Sequence, residues 1–565
     1  MTSGNGFSRR VFLSQGAATG GLMMLGGVGA SVLAGCSSSS STGSTITSAG
    51  TDATSGASAE TPKRGGALTV GTIAEINGFY PATSHWDTNG YIYANTIYDP
   101  LMAVAADGSV QPYLAKTMTS NATYDVWTMT LRSNVRFNDG SPLDSMVVLA
   151  NFNALRKSSL TGVTLDQVAS VTTPDAMTVV YTLTGPNPTY PSGLTTQVGY
   201  VVGTAMIDAA TANPSVAPLP VGTGPFIYSQ WQPNDHFTAI RNPSYWRSGL
   251  PYLDSITFRP IPDTGQREST LRSGGVDMIE SVTPTTITNF SGSGGTGYQL
   301  TDTRTGVIGQ PTFSFIMLNT AVAPTNDLSI RQALAKGMDQ MELQKLLGGP
   351  PAKPVDGIFL PNSPYYSKTG YPSYDPSAAK SLVSEYKAQH GTPAITITTI
   401  PDPIALKEVE AVQQMWEQVG FAVSISEVQQ ATIIDDFVLG TFQAATSYLF
   451  GAVNPDLNYV WWSTTTVEPP GKIGLNFTRL DDPQIETALL QGRHTTSQST
   501  RVSAYRTVNE RLAEDLAYLW IEQYFFSQVA QDRVQNLGHR TLPEGLPGYA
   551  FDEGIFVPTQ VWLDG

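Results

Sequence analysis

Residues 394–425 read AITITTIPDPIALKEVEAVQQMWEQVGFAVSI, and this stretch decides the fold. Its first seven residues are apolar or β-branched, which predicts a strand. The next part places apolar side chains on one helical stripe before a glycine stop, at Val409, Val412, Trp416, Val419 and Gly420. Residues 421–425 alternate again as a second strand. A strand, helix and strand at this spacing predict a right-handed parallel βαβ unit.

Further periodic segments lie on both sides of this unit. Runs at 126–131 and 178–183 are rich in β-branched and aromatic residues and predict strands with a buried face. One helix is predicted from the row Ile330, Leu334 and Met338, and another from Val502, Tyr505, Leu512, Leu516 and Leu519. The fold class is therefore α/β, with mixed sheets and flanking helices.

Composition excludes several classes of protein. The chain has 565 residues, a net charge of −15 and one cysteine. An acidic chain is poorly suited to nucleic acid or to an anionic membrane surface, so neither is expected as a partner. A single cysteine excludes intramolecular disulfides. With 41% hydrophobic and 14% charged residues, the chain is typical of a large folded protein with more than one core.

The N-terminus indicates export. Arg9 and Arg10 precede a Gly/Ala-rich apolar run that closes on Leu33, Ala34, Gly35 and Cys36. Twin arginines are typical of bacterial secretion, and the closing tetrapeptide resembles a lipoprotein cleavage site that would lipidate Cys36. We interpret 1–35 as a signal peptide and 36–64 as a flexible Ser/Thr/Gly tether. The alternative is a retained transmembrane helix, which the many glycines disfavour. The expected location is the extracytoplasmic face of the cell membrane, with a lipid anchor.

Patterns that suggest an enzyme are weak. GSGGTG at 292–297 fits a dinucleotide fingerprint but lacks the flanking strand and helix. SAAK at 377–380 and KTG at 368–370 occur in the reverse of the order found in penicillin-binding enzymes. The five histidines are scattered and form no HExxH pattern. We therefore expect no catalytic residues, no metal and no cofactor, with a secreted hydrolase as a remote alternative.

A series of motifs occurs in order between residues 95 and 339. The most specific is WTMTLRSNVRFNDGSPL at 127–143, and the others are at 95–101, 112–116, 221–226, 241–246, 271–277 and 318–320 with 330–339. The sequences of these motifs and their order resemble those of solute-binding protein family 5, the extracytoplasmic receptors of oligopeptide-type ABC importers. Most of these motifs are interpreted as turns and backbone requirements of the fold, as at Gly140, Gly222 and Gly224.

The resemblance implies a two-lobed periplasmic-binding-protein-like fold of type II with a hinge. Lobe I would comprise 65–310 plus 541–565, with an extra subdomain at about 90–215, and lobe II would comprise 311–540. The chain would cross between lobes near 311–319 and again near 531–540. A monomer would capture a peptide-like solute or an oligosaccharide and deliver it to a membrane permease. A sensory or adhesive lipoprotein is the alternative.

Family position also implies two ligand-contacting segments, at 75–86 and 448–462. The predicted contacts are Asn77, Tyr80, His85, Trp86, Tyr448, Phe450, Gly451, Asn454, Asp456 and Trp461. Peptide-binding relatives carry an aspartate for the peptide ammonium group where this chain has Gly451. A buried cation without such a partner is costly. We therefore expect a solute other than an unmodified dipeptide, such as a neutral oligosaccharide or a modified peptide.

Overall fold

The computed structural model describes residues 61–84, 86–159, 161–303, 312–348, 355–548, 551–552 and 554–565. The contacts of the chain separate a compact unit, Lys63–Gly565, from Met1–Pro62, and the description below concerns Lys63–Gly565. The predicted export arginines Arg9 and Arg10 and the predicted lipidation residue Cys36 lie outside the described residues.

The strands, in chain order, are β1 Ala67–Thr72, β2 Met102–Val104, β3 Val110–Pro112, β4 Ala115–Ser120, β5 Val126–Leu131, β6 Val168–Asp175, β7 Thr178–Leu183, β8 Phe226–Gln232, β9 His236–Arg241, β10 Ser255–Pro260, β11 Met278–Ser281, β12 Tyr298–Asp302, β13 Phe313–Leu318, β14 Ala394–Thr399, β15 Ala422–Glu427, β16 Ala444–Leu449, β17 Tyr518–Gln523, β18 Ser527–Gln531, β19 Val534–Gln535, β20 Arg540–Thr541, β21 Pro547–Gly548, β22 Phe551–Asp552, β23 Ile555–Phe556 and β24 Trp562–Leu563.

The α-helices are α1 Thr88–Ile97, α2 Ser145–Arg156, α3 Thr204–Ala212, α4 Thr264–Arg272, α5 Pro284–Asn289, α6 Leu328–Lys336, α7 Gln340–Leu347, α8 Pro376–His390, α9 Pro403–Val419, α10 Gln430–Leu439, α11 Tyr459–Trp462, α12 Pro483–His494 and α13 Gln498–Asp515. Short 3-10 helices add Gly162–Leu165, Tyr190–Thr195, Gln197–Gly199, Gly292–Gly295, Pro455–Asn458, Thr464–Thr466 and Pro558–Gln560. Within the described part of the chain, none of these helices has the length and apolarity to span a bilayer.

Two large sheets organise these elements. The first has seven strands in the order β12-β18-β11-β1-β10-β9-β8, and the second has five in the order β15-β14-β16-β13-β17. A four-stranded antiparallel sheet, β4-β5-β7-β6, lies inside the range predicted for the extra subdomain. We call the part built on the seven-stranded sheet the first lobe and the part built on the five-stranded sheet the second lobe. The domain boundaries themselves stay a prediction.

The predicted βαβ unit is present. β14 and β15 pair in parallel over their whole lengths, and α9 connects them. The helix begins at the cap Asp402, whose carboxylate accepts from the amides of Ile404 and Ala405. It ends at Gly420, which has a left-handed φ of 110°, a conformation that glycine adopts without steric cost. The four predicted apolar positions of α9 are all buried.

The last predicted helix is partly wrong. α13 ends at Asp515, because Leu516 takes a left-handed φ of 53° and closes the helix. Leu519, which we assigned to the apolar row of this helix, lies instead in β17. β17 pairs with β13 and is buried on both faces. Its run of apolar residues is therefore continuous, and periodicity alone does not distinguish such a strand from the apolar side of a helix.

The second sheet packs between two hydrophobic cores. Phe313, Phe315 and Trp520 face one core. Ile316, Leu318 and Leu519 face the other, together with Trp416 of α9. A third and larger core underlies the seven-stranded and four-stranded sheets. Separate cores for the two lobes are expected for a chain of this length.

Two connections join the lobes. The chain passes from β12 to β13, and it returns between the end of β17 at Gln523 and the start of β18 at Ser527. The amide of Tyr524 donates to the carbonyl of Thr312 at 2.9 Å, and the amide of Thr303 donates to the carbonyl of Phe526 at 3.0 Å. The described ends of the first connection, Thr303 and Thr312, therefore lie beside the second connection. Sheet membership places the return before the range 531–540 that the sequence suggested, because β18 already pairs in the first sheet.

Candidate functional site

The strand directions bring one edge of each sheet together. β1, β10 and β11 are parallel, and β12 has the same direction because both it and β11 pair antiparallel with β18. In the second sheet β14, β15 and β16 are parallel, and β17 shares their direction. Both connections between lobes attach at the carboxyl ends of these strands. The carboxyl edges of the two sheets therefore border one interlobe cleft, which is where open α/β sheets bind ligands.

Three residues of the second lobe form a row at this edge. Ser314 of β13 lies opposite Tyr448 of β16 on one side and opposite Glu522 of β17 on the other. Directly opposed residues share a face of the sheet. Tyr448 is 43% exposed, whereas Ser314 is 8% and Glu522 is 6% exposed. The row therefore has a solvent-exposed tyrosine at one end and a buried carboxylate at the other.

Two polar groups in this row lack partners. The hydroxyl of Ser314 is buried and accepts or donates no hydrogen bond among the described residues. Within the same part of the chain, no hydrogen bond or ion pair reaches the Glu522 carboxylate, and burial raises its pKa to about 7. Buried polar groups are normally paired, so an unpaired carboxylate is the most unusual group in the cleft.

A tyrosine pair forms the wall beside this row. Tyr524 follows β17 and stacks on Tyr448 with ring centroids 4.7 Å apart and planes inclined by 3°. Burial is the main cause that raises the pKa of Tyr448, and the negative charges of Asp87 and Glu280 raise it further. Asp87 and Glu280 belong to the first lobe, so Tyr448 lies where both lobes act on it.

Glu280 is the acid that the first lobe contributes. It lies in β11, is 4% exposed, and accepts a hydrogen bond from the amide of Ile73 at 2.8 Å through Oε1. Burial raises its pKa to about 7, although the amide of Ile73 and the charge of Arg267 act in the opposite direction. Arg267 itself donates to the backbone carbonyls of Glu280 and Ile261 at 2.8 and 2.6 Å.

Glu408 is the third acid, on α9 of the second lobe. Burial raises its pKa to about 8, and the nearby charges of Glu522 and Asp402 add to that rise. Asp402 caps α9 and is thereby bound to two amides. We refer to Glu280, Glu408 and Glu522 as the cleft acids. Like charges in a desolvated site oppose one another's ionisation, and Glu408 and Glu522 do so here, so an added positive charge would favour the ionised form of both.

The predicted segment at 448–462 lies partly in the cleft and partly in the core. Tyr448 borders the cleft, whereas Phe450 is 2% exposed within a cluster of aromatic side chains. Gly451 is half-buried. Asn454 caps the following turn by accepting from the amide of Asp456 at 3.0 Å. Trp461 packs on Phe477 with ring centroids 5.0 Å apart.

Asp456 already has protein partners. Its carboxylate accepts from Nε of Arg493 at 2.8 Å, and from the side-chain amide of Asn187 at 3.3 Å. Arg493 also lies over the ring of Tyr459, 3.7 Å from its centroid. Because Asn187 belongs to the first lobe, Asp456 carries a contact between the lobes.

The predicted segment at 75–86 is mostly buried. Asn77 is exposed, whereas Tyr80 and Trp86 are 8% and 5% exposed. The indole of Trp86 donates to the carbonyl of Gly78 at 3.1 Å, and His85 lies outside the described residues. The ten predicted ligand contacts of the two segments stay predictions.

Sequence reasoning missed the cleft acids, Ser314 and Tyr524. One signal was available: Glu522 is a charged residue in the otherwise apolar run YLWIEQ at 518–523, and a charge in a buried strand is rare without a function. Assigning Leu519 to a helix hid this signal. Among the described residues, no group of three or more His, Cys, Asp or Glu side chains is placed to hold a metal ion.

Comparison with known proteins identifies relatives of similar length. The sequence matches the family described as bacterial extracellular solute-binding proteins, family 5 Middle, over residues 109–469. It is 27% identical over 492 residues to the nickel-binding periplasmic protein of Escherichia coli K12, covering 83% of this chain and 91% of that protein. It is 23% identical over 475 residues to the glutathione-binding protein GsiB of Pectobacterium atrosepticum, covering 80% and 88%.

A solved structure shows the same fold. The periplasmic binding protein DppA of Helicobacter pylori, in complex with the peptide STSA, superposes with a TM-score of 0.77 at 20% identity, covering 89% of this chain and 99% of that one. The type II binding-protein fold predicted from the motifs is confirmed by this likeness.

Proposed function

The chain belongs to family 5 of the bacterial extracellular solute-binding proteins, and from this membership we propose that it is the receptor of an ABC importer. It captures an extracytoplasmic solute between its lobes and delivers it to a membrane permease. In this role the chain binds and releases its solute without covalent chemistry.

One observation carries the proposal: the carboxyl edges of both sheets border a cleft, and in the described part of the chain two connections with adjacent ends join the lobes there. Segments that link two lobes at one edge act as a hinge. A solute that touches both edges binds the closed arrangement better than the open one and shifts the population toward it. The permease then distinguishes loaded from empty receptors by their shape.

The proposed solute class is peptide-like or oligosaccharide. Relatives named for nickel and glutathione, and a structural neighbour holding a peptide, show that this fold accepts varied solutes. Gly451 stands where peptide-binding relatives place an aspartate, so we propose a solute other than an unmodified dipeptide. The predicted contacts from Asn77 to Trp461 are part of this proposal.

Location is the second part of the proposal. Arg9 and Arg10 direct export, cleavage leaves Cys36 as a lipidated N-terminus, and residues 36–64 tether a monomeric body at the outer face of the membrane. The 28 residues that follow Cys36, if flexible, reach roughly 30 Å, which lets the body reorient on a permease. Replacing Cys36 with Ser should release the protein from membranes, as fractionation and immunoblotting would show.

The direct test is a thermal-shift screen of the purified protein against peptides, sugars and metal complexes. A solute that binds only the folded state at 100 times its Kd adds about 2.7 kcal/mol to the free energy of unfolding. We expect at least one compound to raise the Tm, and deletion of the gene to abolish uptake of that compound by cells. Binding without any effect of the deletion on uptake would favour a sensory or adhesive lipoprotein instead.

A further inference from the structure

We propose that the solute carries a positively charged nitrogen group, an ammonium or a guanidinium, held between Glu522 and Glu408 of the second lobe and Glu280 of the first, beside the ring of Tyr448. This inference rests on the proposed function and narrows its solute class. It adds a charge requirement at three acids that the family resemblance does not single out.

The geometry gives two independent reasons. Glu522 is more than nine-tenths buried at the carboxyl end of β17 and has no hydrogen-bond or ion-pair partner in the described part of the chain. Ser314, its direct neighbour in the sheet, has a buried hydroxyl that is also unpartnered there. Two adjacent orphaned polar groups at a cleft edge indicate a missing partner rather than a packing accident.

Among the described residues, the cations next to the cleft acids already bind backbone carbonyls. Arg267 is the charged group facing Glu280, and its guanidinium donates to backbone carbonyls. Lys407, next to Glu408 in sequence, donates to the carbonyl of Leu346 at 2.7 Å. In the described part of the chain no cation acts on the carboxylates of Glu522 and Glu408, so the proposal assigns that positive charge to the solute.

The other acids near the cleft are already bound. Asp87 accepts from the amide of Gly90 at 2.9 Å as the cap of α1, and Asp402 caps α9. Helix caps hold their carboxylates in place and satisfy them. Among the described acids around the cleft, Glu522 and Glu408 therefore remain for a ligand, and Glu280 keeps the oxygen that the amide of Ile73 does not use.

The surroundings suit an organic cation better than a metal ion. No metal-binding group of acids and histidines occurs among the described residues. The stacked rings of Tyr448 and Tyr524 present an aromatic face beside the acids, and the quadrupole of such a face attracts a cation. Ammonium and guanidinium groups use both contacts, since they donate hydrogen bonds to carboxylates and tolerate an aromatic neighbour.

The charge requirement also explains Gly451. In the proposal, Glu522 of β17 takes the role that the resemblance gives to an acid at the position of Gly451, in the loop after β16. A cationic group would then lie beside β17 instead of beside the loop after β16. A solute with its charge on a side chain or on a modified terminus fits this placement better than a plain dipeptide.

Binding should depend on pH. Glu522 faces Glu408 and Tyr524, while Glu280 faces Arg267, Asp87 and the amide of Ile73. The pKa values of about 7, 8 and 7 for Glu280, Glu408 and Glu522 mean that the empty cleft ionises across neutrality. A cation binds the ionised form, so its affinity should rise from pH 6 to pH 8.

The test uses probes in pairs that differ in charge: arginine and citrulline, agmatine and its acetylated form, trialanine and N-acetyl-trialanine, with maltotriose, glutathione and NiCl2 added. Isothermal titration measures the wild type, Glu522→Gln, Glu408→Gln and the control Glu417→Gln, an exposed position on the same helix as Glu408. We expect only charged amines or guanidines to bind. Affinity should fall at least tenfold in Glu522→Gln and Glu408→Gln, and stay within twofold in Glu417→Gln.

The outcomes distinguish the charge of the solute from the receptor function. Binding of neutral solutes, anions or Ni²⁺ that neither variant weakens would overturn the charge inference and leave the receptor function intact. Failure of every probe class to bind would contradict the receptor function itself. Thermal melts show whether each variant is folded, and the pH dependence of the wild type tests the inference without any substitution.

Discussion

At the scale of single residues, the cleft acids lower the stability of the empty protein and provide carboxylates for binding a cation. Glu522 is buried among apolar neighbours of β17, so ionising it in the empty protein is unfavourable. A surface glutamate would impose no such cost and would hold a cation less tightly, because water screens it. The burial of Glu522 without a partner therefore fits a residue that binds a ligand and lowers the stability of the empty protein.

Replacing Glu522 with Gln should stabilise the empty protein at pH 8. The folded pKa of Glu522 is raised from 4.5 to about 7, so its favourable contribution is complete below pH 4.5 and is lost as pH rises through 7. Glutamine does not ionise, and the free energy of unfolding at pH 8 should increase by about 1–3 kcal/mol. Urea denaturation at pH 5 and pH 8 measures the effect. An equal change at both pH values would show that ionisation is not the cause.

The pair Asp456–Arg493 should behave in the opposite way. Replacing Arg493 with Met leaves Asp456, which is 8% exposed, as a buried charge without its cation, and this should cost about 3–5 kcal/mol of unfolding free energy. Adding Asp456→Asn should restore most of the loss. The exposed pair of Lys345 and Glu342 is the control, since Lys345→Met should change stability little. A loss in the double variant as large as in Arg493→Met would refute the assignment.

At the scale of elements, close contacts between segments explain the glycines of the motif at 221–226. A Cβ on Gly224 would lie 2.4 Å from the carbonyl carbon of Ile97 and 2.7 Å from the amide nitrogen of Tyr98. The amide of Gly224 also donates to the carbonyl of Ile97 at 2.9 Å. The loop before β8 thus packs directly on the end of α1, and no larger residue fits between them.

Replacing Gly224 with Ala should therefore destabilise the first lobe. Backbone atoms would have to move, and overpacking of this kind costs about 1–3 kcal/mol. Gly193 is the matched control, since a Cβ there meets nothing within 4 Å, and Gly193→Ala should change stability by less than about 0.5 kcal/mol. Urea denaturation of both variants would make the comparison. Equal effects would mean that the backbone at Ile97 moves away from the added Cβ at little cost in free energy.

Elements with a strong local period could be predicted from sequence, and the site could not. The βαβ unit of β14, α9 and β15 follows from spacing within one stretch. The row Tyr448, Ser314 and Glu522 joins three distant stretches through strand pairing, and no local pattern encodes such a register. The family motifs located the neighbourhood of Tyr448, and the charge of Glu522 within an apolar run was one local signal, but which acids lie near Tyr448 depends on tertiary structure.

At the scale of the whole molecule, several buried acids share one direction of response to pH. Burial raises the pKa of Asp99 to about 6, of Glu280 and Glu522 to about 7, and of Glu408 to about 8. Each contribution to stability is present at low pH and is lost as pH rises through these values. Acids with lowered pKa, such as Asp125, lose their contribution only below pH 4.

The Tm of the empty protein should therefore fall between pH 5 and pH 8. Differential scanning calorimetry across this range would measure the decrease. Salt should change the result little, because desolvation is its main cause and ions do not screen it. A Tm that rises steadily over the same range would contradict the assignment of raised pKa values to these acids.

The position of β18 has a consequence for how the protein is made. β18 lies between β11 and β12 inside the seven-stranded sheet, and it is the only described partner of β12 in that sheet. The ribosome therefore has to translate Ser527–Gln531 before the sheet that starts at Ala67 can be completed. The second sheet needs nothing beyond Gln523 and can mature earlier. A chain truncated between Gln523 and Ser527 would leave the edges of β11 and β12 unpaired. The first sheet is therefore complete only when synthesis has passed β18.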